Sequence, residues 1–238
     1  MRSISVNFMG RFGNQMFQYA TARAYAEMHN ASLHTQPWVG QEIFELSDKP
    51  YVKLPQAGFD ILPFGTVNVN LHGYFLHSDA AKILSTQKLR QWFKLQPRWR
   101  NLVNQVDIAA HLRYGDYIDL AGIYCLITKE SYINACQKFG LDDKQITWVS
   151  EDNTNVVKIG GKLSFLPDFI TLMTAKTLFR ANSSFSWWAA TLNTGNIYSP
   201  IVEARTGWND VDFVPGNWPR TADNSKCNCR LNDLHITP

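Results

Sequence analysis

The stretch SISVNFMGRFGNQMFQYATARAYAEMHN, residues 3–30, decides the fold. Ser3 to Phe8 alternates into an apolar run that predicts a first strand. Gln15 to His29 then places apolar residues at 16, 17, 19, 20, 24 and 26, the spacing of a helix. Between them Gly10, Arg11, Gly13 and Asn14 share one turn. A connector needs one glycine at most. The surplus lets backbone approach a ligand closely, and the helix that follows offers N–H groups to an anion. A structural turn closed by a helix-capping Asn14 explains the same residues, so both readings stand. The turn is neither G-x-G-x-x-G nor a P-loop, because no Lys-Ser/Thr follows.

Outward from this strand, turn and helix, Ala31 to Gln36 and Val67 to Phe75 predict further strands, and Ala80 to Phe93 predicts a helix ended before Pro97. Beyond it the texture changes to short apolar strands at Val106–Leu112, Ile146–Val149, Leu163–Phe165, Leu178–Ala181 and Ile197–Ser199. Helical stretches at Lys129–Phe139, Phe169–Thr177 and Trp187–Asn193 separate them. Strands alternating with helices predict parallel α/β units. The expected organisation is an N-terminal α/β half over 1–105, a Rossmann-like half over 106–221 and a polar tail over 222–238.

The chain has 238 residues, 45% hydrophobic and only 18% charged, which places it among globular proteins. A balance of 23 Lys+Arg against 20 Asp+Glu, without a basic stripe, argues against nucleic acid as a partner. The opening apolar run is too short and polar for a signal peptide, and the uncharged window Ala181–Val202 carries three asparagines. No integral membrane segment is expected. Cys125, Cys136, Cys227 and Cys229 show no paired metal spacing, which points to a reduced, cytoplasmic chain, with peripheral membrane attachment left open.

Ligands of open α/β sheets bind outside the carboxyl ends of strands, so the residues after each predicted strand carry the chemistry. In AAHLRYGDY, residues 109–117, a strand delivers His111 and Arg113 and turns at Gly115. An arginine there has a rigid donor fork suited to a diphosphate, with a surface salt bridge as the alternative. His111 fits a hydrogen-bonded core residue or a catalyst; Asp116 fits a base, a partner of Arg113 or an Asx-turn residue. WVSEDN, residues 148–153, runs into Glu151 and Asp152, which can accept from a nucleoside, take a proton or lie solvated in a turn. FRANSSFSWWAATLN, residues 179–193, ends a strand at Asn182 and opens a helix with Ser183, Ser184, Phe185 and Ser186. One hydroxyl suffices for a cap, so three suggest an uncharged anion cradle.

GRFGNQMFQYA, LHGYF at 71–75, HLRYGDY and LMTAKTLFRANSSFSWWAATLN resemble, in that order, the motifs of glycosyltransferase family 11, the α-1,2-fucosyltransferases. The opening motif and HLR are also similar to those of protein O-fucosyltransferases. The resemblance implies a GT-B-like α/β fold, two Rossmann-like halves with parallel sheets flanking a cleft, the N-terminal half on the acceptor side. It implies metal-independent, inverting transfer from a GDP-sugar, foremost GDP-fucose, to a hydroxyl of a glycan acceptor, with no further cofactor. Carried over, Arg113 holds the diphosphate, Gly10 to Asn14 line the cleft, Ser183, Ser184 and Ser186 meet the phosphates, and Glu151 or Asp152 lies near the nucleoside. His111, Asn182 and Phe185 belong to the same donor set, and Asp116, Glu151 and Asp152 are the candidate bases. The chain departs from the family pattern at Tyr114, where a second arginine is usual, and at Leu76–Asp79.

Rival readings are a different GDP-sugar, a non-catalytic nucleotide or glycan binder, and a metal-dependent transferase using Asp210 and Asp212. The last pair follows a turn-like Gly-Trp-Asn near the end of the chain, away from any predicted central strand.

Overall fold

The computed structural model describes residues 1–76, 80, 83–151, 159–202 and 206–217. The chain divides into two α/β units, one over Met1–Arg100 and one that begins at Asn101.

The first unit comprises β1 (Ser3–Val6), α1 (Phe12–Met28), β2 (Ser32–Thr35), α2 (Gly40–Ile43), β3 (Lys49–Pro50), β4 (Val69–Leu71) and α3 (Thr86–Trp92). Its sheet is parallel throughout, in the order β3-β2-β1-β4. In the central β1, Ile4 and Val6 enter the core beside Val69 and Leu71. Ser5, on the alternate face, is also buried, and its hydroxyl donates to Asn70 Oδ1 at 3.0 Å. Helix α1 is buried around most of its circumference, which is why its apolar pattern is broad. The strand expected over Val67–Phe75 shortens to three residues because Asn68, Gly73 and Phe75 all have positive φ, outside the extended region. Of the helix expected over Ala80–Phe93, Ala80 and Thr86–Trp92 are helical, and residues 81 and 82 lie outside the described set.

The second unit comprises β5 (Ile108–His111), α4 (Gly115–Asp119), β6 (Cys125–Ile127), α5 (Lys129–Lys138), β7 (Ile146–Val149), α6 (Leu166–Thr174), β8 (Thr177–Phe179), α7 (Ser184–Leu192), β9 (Asn196–Pro200), β10 (Gly207–Asn209) and β11 (Phe213–Pro215). The main sheet runs β11-β9-β8-β5-β7, parallel except for the edge strand β11, and β6 pairs with β10 in a separate parallel ribbon. One face of the sheet packs Ile108, Ala110 and Phe179 against Tyr132, Cys136 and Phe213. The strand expected at Leu163–Phe165 is absent: Gly161–Leu163 is a 3-10 turn and a helix starts at Leu166. Pro167 sits in the first turn of that helix, where its missing N–H is harmless, so the apolar run belongs to a helix start. The same helix ends at Thr174, three residues before Thr177, which is already in β8.

Strand order reverses between β1 and β4 in the first sheet and between β5 and β8 in the second. Such switch points open a crevice at the carboxyl ends of the two strands, because the connections leave in opposite directions. No helix among the described residues is long and apolar enough to cross a membrane.

Candidate functional site

The second switch point collects most of the residues singled out above. Chain pairing continues one residue past β5, where Leu112 N–H donates to Val149 O at 2.8 Å, and the next side chain is Arg113. Arg113 Nη1 donates to Glu151 Oε1 at 2.6 Å, from the end of neighbouring β7, and Nη2 donates to Asp116 in the first turn of α4. Its guanidinium carbon lies 4.4 Å from the Tyr117 ring centroid, and Tyr117 stacks on Tyr124 at 4.3 Å. Two carboxylates and a ring stack therefore hold the fork. The Arg113 side chain is 13% exposed while that of Glu151 is 50% exposed, so the cation sits deeper than its partner. Gly115 takes φ +34°, and a Cβ there would strike the Glu151 carboxylate, so the turn needs glycine for both reasons.

Tyr114, the N-cap of α4 at φ −104° and ψ −93°, has a different set of neighbours. Its hydroxyl donates to Ile127 O at 3.0 Å and its ring meets Trp208 edge-on at 4.8 Å. Burial pushes the phenol up to about 12. Nothing in this position replaces a second arginine.

His111 is 5% exposed, and burial, reinforced by the nearby Arg113 charge, pushes its imidazole down to about 3. It is a neutral ring at neutral pH. Its Nδ1 is buried without a hydrogen-bond partner among the described residues, and its ring lies 5.5 Å from that of Phe185. The contact joins the end of β5 to the start of α7, two motifs far apart in sequence. Phe185 also meets Phe169 edge-on at 5.3 Å, which fixes the start of α7.

At that start Ser183 is the N-cap: it has extended backbone and its hydroxyl accepts from Ser186 N–H at 3.3 Å. Ser186 is fully buried and donates to Ala181 O at 2.9 Å, with Ser183 Oγ 3.1 Å away. Two of the three hydroxyls thus build the turn itself. Ser184 and Phe185 are the partly exposed positions, and Asn182 is buried beside them. Arg180, buried, steadies the same turn by donating Nη1 to Ala181 O at 3.1 Å and Nε to Ser199 Oγ at 2.9 Å.

Gly10, Arg11, Gly13 and Asn14 lie in the first unit, at the end of β1. Arg11, not Asn14, is the N-cap residue of α1, and its side chain makes no capping hydrogen bond; Asn14 is inside the first turn. The capping-asparagine explanation of the turn therefore fails. Gly10 has φ +72°, and the Asn14 side chain and Tyr74 ring stand 2.8 and 3.1 Å from where its Cβ would be. The buried Gln18 side chain fixes the loop from inside, accepting from Met9 N–H at 2.9 Å and donating to Met9 O at 2.8 Å.

Asp152 lies outside the described residues, as do Cys227 and Cys229. Asp210 accepts from Thr128 Oγ1 and Asp212 pairs with Lys138 at 3.2 Å, so the two carboxylates have different partners. Among the described residues no group of three or more His, Cys, Asp or Glu side chains converges as a metal site. Sequence reading missed Tyr117, Tyr124 and Arg180.

No family model matches the chain, and no curated protein matches it in sequence. Solved structures match the fold. A NodZ alpha-1,6-fucosyltransferase crystal soaked with GDP-fucose superposes with a TM-score of 0.59 at 14% identity, covering 90% of this chain and 99% of that one. Fucosyltransferase NodZ from Bradyrhizobium gives 0.60 at 14% identity over the same shares, and NodZ co-crystallized with GDP gives 0.57 at 13%, covering 91% and 99%. The chain thus has an α/β, GT-B-like fold.

Proposed function

We propose that the chain is an inverting glycosyltransferase that takes a sugar from a GDP-sugar, foremost L-fucose from GDP-fucose, and places it on a glycan hydroxyl. The observation that carries the reading is the position of Arg113 and the α7 N-terminus on the two strands of one switch point, joined through the His111–Phe185 contact. A planar cation and a helix N-terminus side by side suit a diphosphate. The likeness to structures soaked with GDP-fucose or grown with GDP supports the nucleotide. The motif order shared with family 11 supports the α-1,2 linkage.

In the transfer the acceptor hydroxyl attacks the anomeric carbon while the bond to the diphosphate oxygen breaks, and the diphosphate leaves with the electron pair. Arg113 and the backbone N–H groups opening α7 stabilise the charge that develops there, and preorganised donors of this kind contribute about 3 to 4 kcal/mol each. A carboxylate takes the hydroxyl proton. Glu151 is better placed than Asp116, because half of its side chain reaches solvent. His111, neutral and buried, orders the wall of the site and takes up no second proton at working pH. The reading includes no metal, since Arg113 and the helix terminus offset the leaving charge.

Turnover of GDP-fucose, GDP-mannose, GDP-rhamnose and UDP-sugars with a mixed oligosaccharide acceptor pool tests it. Acceptor-dependent release of GDP that persists in EDTA is the expected result. Release of UDP alone, or restoration by manganese of activity lost on chelation, would reject it.

A further inference from the structure

The first unit has a switch point of its own, between β1 and β4. The Gly10 turn leaves β1 there, and His72, Gly73 and Tyr74 leave β4, with the Tyr74 ring against Gly10. A second loop is laid alongside. Ala57 N–H donates to Asn70 O at 2.9 Å, Asn70 N–H to Pro55 O at 2.8 Å, and Asp60 N–H to His72 O at 2.8 Å. The Asp60 carboxylate accepts from Phe75 N–H at 2.8 Å. Asp60 and Phe75 have φ of 57° and 55°, and Gly73 has 149°. A phenylalanine in the left-handed region is rare, and such backbone persists only where surrounding bonds enforce it.

The frame so built holds an aromatic side chain outward. Phe59 is 50% exposed, and its ring meets His72 at 5.2 Å and Tyr74 at 6.2 Å, both edge to face. The two edge contacts fix the ring plane. Neither the His72 nor the Tyr74 side chain makes a hydrogen bond among the described residues. An oriented, half-exposed apolar ring with unspent polar groups beside it matches one ligand chemistry well. A pyranose presents a face of C–H bonds to an aromatic ring and a rim of hydroxyls to neighbouring donors and acceptors.

We infer that Phe59, His72 and Tyr74 form a platform for a neutral pyranose ring of the acceptor glycan. The inference rests on the reading of the chain as a glycosyltransferase. The Asp60 carboxylate is turned onto backbone, so the platform favours uncharged sugar over a cationic group.

Saturation-transfer NMR with lactose, N-acetyllactosamine and chitotriose, without any nucleotide, tests the platform. At least one sugar should receive saturation at its ring C–H protons from the wild-type chain. Phe59→Ala should weaken that sugar about tenfold, the upper range for an aromatic stacking contact. Phe59→Trp should keep it, Tyr74→Phe should weaken it less, and GDP affinity should be unchanged in all three. Absence of transfer to every one of the three sugars, or equal transfer to wild type and Phe59→Ala, would overturn the inference. A separate GDP titration keeps the two readings apart: sugar binding without GDP binding contradicts the donor assignment and leaves the platform standing, and the reverse contradicts the platform alone.

Discussion

Arg113 and Glu151 form an ion pair at 2.6 Å across the carboxyl ends of adjacent parallel strands, β5 and β7, with the guanidinium stacked on Tyr117. In the proposed transfer Arg113 supplies the cation that a diphosphate needs. Arg113→Ala should therefore lower kcat/KM by about 2 to 5 kcal/mol, the range for losing a buried charge-assisted contact. Tyr114→Phe removes only a hydrogen bond to Ile127 O and should cost about 1 kcal/mol of stability with little change in kcat/KM. A Tyr114→Phe loss in kcat/KM equal to that of Arg113→Ala would place the phenol in the site.

The two carboxylates on Arg113 should separate kinetically. Asp116 lies in the first turn of α4 and is the less exposed, so Asp116→Asn should loosen the fork and raise the donor KM more than it lowers kcat. Glu151→Gln should lower kcat at nearly unchanged donor KM, by about 100-fold or more if it takes the acceptor proton. Steady-state kinetics of both variants with GDP-fucose decides the assignment, and a reversed pattern moves the base to Asp116.

Ser184 and Ser186 differ by burial. Ser186→Ala removes the buried hydroxyl's hydrogen bond to Ala181 O, which Arg180 Nη1 still serves, and its contact with Ser183 Oγ, and should lower stability by about 1 kcal/mol in urea unfolding. Ser184→Ala should leave the unfolding midpoint in place and weaken GDP binding instead, since this hydroxyl is partly exposed at the helix start.

His111 makes stability depend on pH. Its ordinary value is 6.5 and burial brings it to about 3, so the unfolded chain takes up a proton that the folded chain refuses. The stability held by the neutral ring is complete above pH 6.5 and falls as pH drops toward about 3. Lowering the pH from 7 to 5 should cost roughly 2 kcal/mol through this group. His111→Gln should remove that part of the acid sensitivity, seen as a smaller shift of the urea midpoint between the two pH values.

Much of this architecture was legible in the chain because long periodic segments announce themselves. The strand, turn and helix over residues 3–30 and the helix at Lys129–Lys138 follow directly from apolar spacing. Strands of three residues, such as Cys125–Ile127 and Phe213–Pro215, carry no readable period and went unseen. Leu163 and Phe165 read as a strand for the same reason, until Pro167 shows the chain entering a helix. At the site, Arg113 and the NSSFS helix start could be located as strand ends. The hydrogen-bond partners could not: that Ser186 turns inward depends on the Ala181 carbonyl, and that Tyr117 covers Arg113 depends on the α4 turn. Such contacts are set by the fold rather than by neighbours in sequence.

The nucleotide preference of the chain bears most directly on the proposed donor site. Calorimetric titration of GDP and of UDP into the wild-type chain, repeated with Arg113→Ala, measures it. GDP should bind more tightly than UDP, and Arg113→Ala should weaken GDP by at least about tenfold, as expected for one charge-assisted contact. Equal affinity for the two nucleotides, or GDP binding unaffected by Arg113→Ala, would contradict the proposed donor site.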